Sequence, residues 1–440
     1  MGSEQKQRRV PKAHGAAPAP RRHEPLPMFR EGQRFACRDC PARCCRMPWG
    51  TAMNRDDAAR IAADPWVRAR LSAEALRVLE GGVLPMVERD RRPACAFLDE
   101  DERCGLQKEK GHDFIPWACQ VFPFDFARGE NGRLIGSLSR LCPSVRDDYG
   151  EPALEQLSDK LEQQGAVDDT AAAMSTLTGV SLRQAQYFPL VERWEARLEE
   201  TDRPLEVVAE LFDWMSAFEL ALPEGREKVD DETVRQAMAQ ADEAEPKPLK
   251  AGAGLGYRGR MFFAHVMGHL CYPARVALDH RIDERPWYHF AGVRTVLMRL
   301  SWLLMRGTVD LIFVDRPVPL GRLVRVAPPV RGEQGRVVAQ FLVEALRRRR
   351  IFTQTRPLQA VLLDLALAAV LTSRFARCRA AASGATEAAP EDVAEGLGIA
   401  ELMVISHVSP NRSTDLLQRL RWAMLSEPLN LRRILGAEAS

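Results

Sequence analysis

The 440-residue chain lacks a surplus of charge of either sign, with 62 basic side chains against 60 acidic ones and a formal net charge of +2. A polyanion such as DNA finds no global electrostatic footprint here, so no nucleic-acid partner is expected. Residues 1–27 are rich in Arg, Lys, Pro and Ala but hold no continuous apolar stretch, and they do not read as a secretory signal. A myristoylation signal fails at Lys6, where Ser or Thr is required. No uninterrupted apolar run reaches membrane-spanning length; the best, 358–371, is short and carries Asp364. The expected setting is a soluble protein of the reducing cytoplasm, where clustered thiols more often hold metal or do redox chemistry than form disulfides.

Cysteine is abundant and uneven. Eight of the ten lie between Cys37 and Cys142, opening with Cys37-Arg-Asp-Cys40-Pro-Ala-Arg-Cys44-Cys45 and continuing as Cys95, Cys104, Cys119 and Cys142. A C-x2-C pair lets one loop supply two thiolates to one ion or cluster. Adjacent cysteines point in different directions, so Cys44 and Cys45 suit a polynuclear cluster or two neighbouring centres better than one small tetrahedral ion. Only His112 among the histidines falls in this stretch. A pure sulfur donor set suits zinc or an iron–sulfur cluster rather than a hydrolytic site with an open position. The C-x3-C-x2-C run of the common radical enzymes is absent.

The order Cys37-x2-Cys40-x3-Cys44-Cys45, then Cys95-Ala-Phe-Leu98, Arg103-Cys104-Gly-Leu-Gln107, Pro116-x-x-Cys119-x-x-Phe122-Pro123 and Cys142 resembles a bacterial cysteine-cluster family. That family is described as zinc- or iron-chelating and includes flagellin lysine N-methylases. The resemblance covers about the first third of the chain and implies that the eight cysteines are the chelating set. It also implies S-adenosylmethionine as a cofactor and a protein substrate as a partner, with no catalytic residue supplied. Gln107, Gly111 and Pro116 resemble the methylase version, whereas Phe122-Pro123-Phe124 stands where methylase members carry Tyr-Pro-Arg.

The remaining patterning predicts a mainly α protein in which a loop-rich N-terminal cysteine module docks on a larger all-helical body. Residues 1–30 read as a disordered basic tail and 31–150 as the module, whose Gly, Pro and Asp punctuation breaks long helices. A helix is expected within 55–79, ended or bent at Pro65. Leu154, Leu157 and Leu161, then Leu205, Val208, Leu211, Phe212 and Met215, mark a first helical block over 151–222. Charged residues with Pro suggest a linker over 223–256, followed by a second helical block over 257–440. Helices are expected there at 259–278, 287–305, 335–350, 358–378, 390–408 and 414–425. A β-branched, Pro-rich stretch at 309–330 reads as extended or a hairpin, and 380–389 as a flexible loop.

Weaker signals have blander explanations. Gly252-Ala-Gly254-Leu-Gly256 resembles a cofactor-binding glycine turn but follows no strand, which favours a linker. His265 and His269 share a helical face with Cys271 close by, amid apolar neighbours typical of packed histidines. The run Arg347–Arg350 is either an anion site or a solvated helix end that complements the macrodipole. Trp49, Trp117, Phe122 and Phe124 accompany the cysteines as a cluster shield or as a small core. Two functions of different class follow: a metal-loaded protein N-methyltransferase, or a non-enzymatic protein whose metal stabilises an interaction or assembly module.

Overall fold

The computed structural model describes residues 25–37, 43–46, 51, 53–89, 92–129, 132–164, 168–224, 227–249, isolated positions from 260 to 298, 300–311, 313–348, 352, 357–405 and 428–439. The protein is mainly α, with short strands. In place of one bent helix, 55–80 forms three, Arg55–Ala63, Pro65–Arg70 and Ala73–Glu80, because each has its own N-cap. Asn54 accepts from the Asp57 N–H, Asp64 from those of Trp66 and Val67, and Ser72 from that of Ala75. Each cap satisfies donors the new helix leaves unpaired, and Pro65 fits a first helical position, where its missing N–H costs nothing.

The cysteine module contains a sheet that the sequence reading did not anticipate. Phe124–Arg128 pairs antiparallel with Leu134–Leu138, and the parallel additions Leu26–Pro27 and Asp168–Asp169 complete four strands. The Ala153–Gln164 helix, grouped by its periodicity with the helical block, packs on this sheet through Ala153 and Leu157 beside Phe124, Phe126 and Cys142.

The larger body is built around Leu358–Ser383, a 26-residue helix buried on every side. It is long and apolar enough to cross a membrane, with mean hydropathy 1.6, which exceeds the shorter segment seen in the sequence. Its most apolar 18-residue stretch is nevertheless 94% buried inside the protein, as expected of a core helix. Helices Pro204–Ala221, Gly332–Arg347, Pro390–Ala400 and Pro428–Glu438 surround it. Pro390–Ala400 lies closest, because a Cβ on Gly396 would stand 2.6 Å from the Thr372 carbonyl oxygen. The expected loop at 380–389 is helical through Ser383 and turns at Gly384, whose φ of +86° favours glycine.

The stretch read as a linker at 223–256 contains a capped helix, Asp231–Asp242, that buries Val234, Ala237 and Ala241. The 309–330 stretch begins in the hairpin Thr308–Val309 with Val318–Pro319, as its β-branched content implied. That hairpin and the pair Ala173–Ser175 with Ser181–Arg183 make the body helical with strands rather than all-helical. A helix at 390–400 continues as a π-helical turn over Glu401–Ile405. The glycine turn at 252–256, His265, His269, Cys271 and the helix expected at 414–425 fall outside the described residues.

Candidate metal centre

Cysteines from separate parts of the chain meet in the module. Cys95 is buried in one apolar cluster with Ile61, Leu79, Phe97, Leu106 and Ile115, and Cys45, Cys104 and Cys119 pack against that cluster. Cys44 lies beside them, its sulfur 3.8 Å from that of Cys45. All five are free thiols. Cys142 stands on the other side of the short Trp117–Val121 helix, buried with Phe35, Val121 and Phe124, and Cys37, two residues beyond Phe35, is exposed. Lys160 donates to the carbonyl of Gln120, next to Cys119, at 2.6 Å. Cys40 lies outside the described residues. Cys378 is far from this group in sequence and fold, buried in the long helix of the body.

The electrostatics of the five thiols follow from crowding in an apolar place. The contact between the two vicinal sulfurs holds Cys44 below the ordinary thiol range, against the effect of burial, and pushes Cys45 well above it. Burial pushes Cys95 up to about 12 and raises Cys104. Burial also raises Cys119 well above its ordinary value, with Cys95, Cys44 and Cys104 adding to the shift. Beyond the Cys44–Cys45 pair, charge on one thiol opposes ionisation of its neighbours, and such a set takes up negative charge readily only when a cation replaces the protons. Among the described residues, no three His, Cys, Asp or Glu side chains stand at metal-ligand spacing. The donor set fits a thiophilic ion in type.

A set of polar clamps positions these cysteines, and no motif in the sequence announces it. Asp57 accepts the Trp117 N–H at 3.0 Å at the start of the turn that carries Cys119, and pairs with Arg60. Arg60 donates to the Phe114 carbonyl at 2.8 Å and stacks on the Phe114 ring. Arg70 donates to the carbonyls of Ala96 and Leu98 and to Asp99 at 2.7 Å, holding the turn between Cys95 and Cys104 while lying over Trp66. Arg46, beside Cys45, donates from Nε to Glu102 at 2.8 Å and so ties the vicinal cysteines to the same turn. Ion-paired guanidinium groups that also donate to carbonyls fix these turns against one another. Of these residues only Asp57 had a sequence signal, the Asn54-x-x-Asp57 pattern of a helix start.

The aromatic companions divide. Phe124 is core, edge-on to Phe35 and stacked on Phe126, while Trp117 and Phe122 are half-buried at its margin. The arginine run is neither a solvated helix end nor an open anion site where it is described. Arg347 pairs with Glu195 and Glu199, and Arg348 is 5% exposed and bonded to Glu401. No known protein family, curated protein or solved structure matches this chain.

Proposed function

We propose that the N-terminal module holds a thiophilic metal, zinc or an iron–sulfur cluster, in its cysteine set, and that this metal organises the module. The observation that carries the reading is the convergence of Cys45, Cys95, Cys104 and Cys119 from four segments onto one apolar cluster as free thiols, with the exposed Cys44 sulfur 3.8 Å from that of Cys45. Apolar surroundings and fixed loops favour a coordinating thiolate over a solvated one, and in a module of short elements ligation free energy is folding free energy. Anaerobic purification followed by metal analysis and a visible spectrum tests it, separating a brown cluster protein from a colourless zinc protein. Metal absent from protein purified without chelators sinks the proposal.

Two uses of the metal remain as proposals. Resemblance to the cysteine-cluster family supports an S-adenosylmethionine-dependent lysine N-methylase acting on a protein in the cytoplasm. A specific contact favours the other use, a metal-stabilised interaction or assembly protein: Phe124, at the place of the methylase members' arginine, is buried in the sheet's apolar face rather than presented to a ligand. Calorimetry with S-adenosylmethionine on metal-loaded protein separates the two. Heat of binding with a matching thermal shift favours the methylase, and none at saturating cofactor favours assembly.

A further inference from the structure

One stretch of the body is apolar on two faces. Leu297, Met298 and residues 300–304 are helical. Trp302 is buried in the body core, with Met298, Leu303 and Met305 packed against that core, and this inner side holds the helix in place. The outer row is Leu297, Leu300 and Leu304, three and four residues apart and so on one helical face, and these are 57%, 42% and 61% exposed. Single exposed leucines are ordinary; a row of three on one face is not. The helix closes where the Arg306 N–H donates to the Ser301 carbonyl at 3.1 Å, and the Leu320 N–H donates to the Gly307 carbonyl at 3.0 Å. The base of the hairpin therefore brings Leu320–Leu323 beside the end of the leucine row. There Val324 is 66% exposed, flanked by the exposed Arg322 and Arg325.

Charge along these two segments is of one sign. The sequence holds no Asp or Glu from 285 to 309 or from 316 to 332, although 60 of the chain's 440 residues are acidic. Arg306, Arg322 and Arg325 are exposed and form no ion pair among the described residues. Asp310 and Asp315, the nearest acids along the chain, belong to the loop at the other end of the hairpin, beyond the paired strands. A row of three half-exposed leucines falls well below the roughly 800 Å² per partner of a stable protein interface. A second copy seated on the same face would also set arginine against arginine. A lipid surface makes neither demand: leucines enter the boundary between headgroups and acyl chains, while guanidinium groups meet the phosphates of anionic lipids. We propose that Leu297, Leu300, Leu304 and Val324, with Arg306, Arg322 and Arg325, form a peripheral docking surface for an anionic lipid bilayer. The protein lies on the bilayer through this face without crossing it, whatever the cysteine module holds.

Co-sedimentation of the full chain with vesicles tests it, comparing equal parts of phosphatidylglycerol and phosphatidylcholine with phosphatidylcholine alone. Binding to the anionic vesicles and little to the neutral ones is expected, weakening as salt rises. Leu300→Glu together with Leu304→Glu should lower affinity for the anionic vesicles by about tenfold or more. Leu154→Glu, at a leucine 58% exposed on the module, should leave it unchanged. Arg306→Gln and Arg322→Gln should each cost about fivefold, and only on anionic vesicles. All these side chains are exposed, so the variants should keep the wild-type circular dichroism spectrum, which confirms that they fold. Wild-type protein that does not bind the anionic vesicles overturns the proposal, as does equal binding by wild type and the double leucine variant. Equal binding to neutral vesicles removes the role of the arginines and overturns it too. A lipid-free dimer that Leu300→Glu disperses, with no vesicle binding, gives the face to a second copy instead.

Discussion

The two halves of the molecule solve the problem of burial differently. The helical body has one continuous core, from Tyr187 and Trp194 through the whole of Leu358–Ser383 to Leu435. The cysteine module divides its apolar residues between the sheet cluster around Phe124 and Phe126 and the helical cluster around Ile61 and Phe97, with Ala94 and Leu98 apart. Small separate cores supply little stability each, so such a unit calls for a staple, and its densest reserve of staples is thiol. Charge follows the same division. The body seats Glu438 among Ser373, Arg374 and Arg377 deep inside, whereas the module spends Arg46, Arg60 and Arg70 on holding turns.

Metal removal should break this comparison most widely. Chelation is expected to remove stability on the order of 10 kcal/mol from the module, the scale of structural zinc sites, and to leave the body folded. Limited proteolysis should then cut within the first 150 residues before any body helix, and simultaneous cleavage of both halves would count against separate solutions. Leu365→Ala should cost about 2–5 kcal/mol wherever metal stands, because Leu365 is fully buried in the continuous core. Denaturant melts of loaded and stripped protein would show it; a penalty found in only one form contradicts it.

Cys119→Ser is expected to strip metal. Cys378→Ser, in the body core, should cost about 1–3 kcal/mol by burying a hydroxyl and leave metal content unchanged. Equal metal loss in both variants would erase the distinction. The smallest effect concerns pH. Cys95, raised to about 12, and Cys119, raised well above its ordinary value, hold their protons at neutrality in the metal-free protein, so metal must displace them. Apparent metal affinity should therefore rise with pH by about tenfold per unit for each proton released, and chelator competition across the neutral range measures the slope. The sign is opposite for the empty module: stability from neutral buried thiols is present below pH ~9 and fades as pH rises through the raised values. A flat affinity profile would show the thiols already ionised.

Much of the body was legible because its helices carry long apolar periodicity, as in Leu205, Val208, Leu211 and Met215. The Asp231–Asp242 helix was missed although Val234, Ala237 and Ala241 keep that spacing, since charge and Pro around it dominated the reading. The sheet was illegible for a different reason: Phe124-Asp-Phe-Ala-Arg alternates over too few residues to stand out among turns. Within the candidate site, the crowding of cysteines was visible and its supports were not. An arginine that clamps a carbonyl, such as Arg70, has the same letter and the same neighbours as one in solvent.

The full enclosure of Leu358–Ser383 imposes an order in time. Part of its cover, Pro428–Glu438, is made after it, so this long apolar helix leaves the ribosome before the residues that complete its enclosure exist. Until Glu438 reaches Ser373 and Arg377, that helix presents the length and hydropathy of a membrane span to whatever it meets. The body therefore completes its core only once synthesis has passed residue 438, and until then the helix is covered only by the segments made before it.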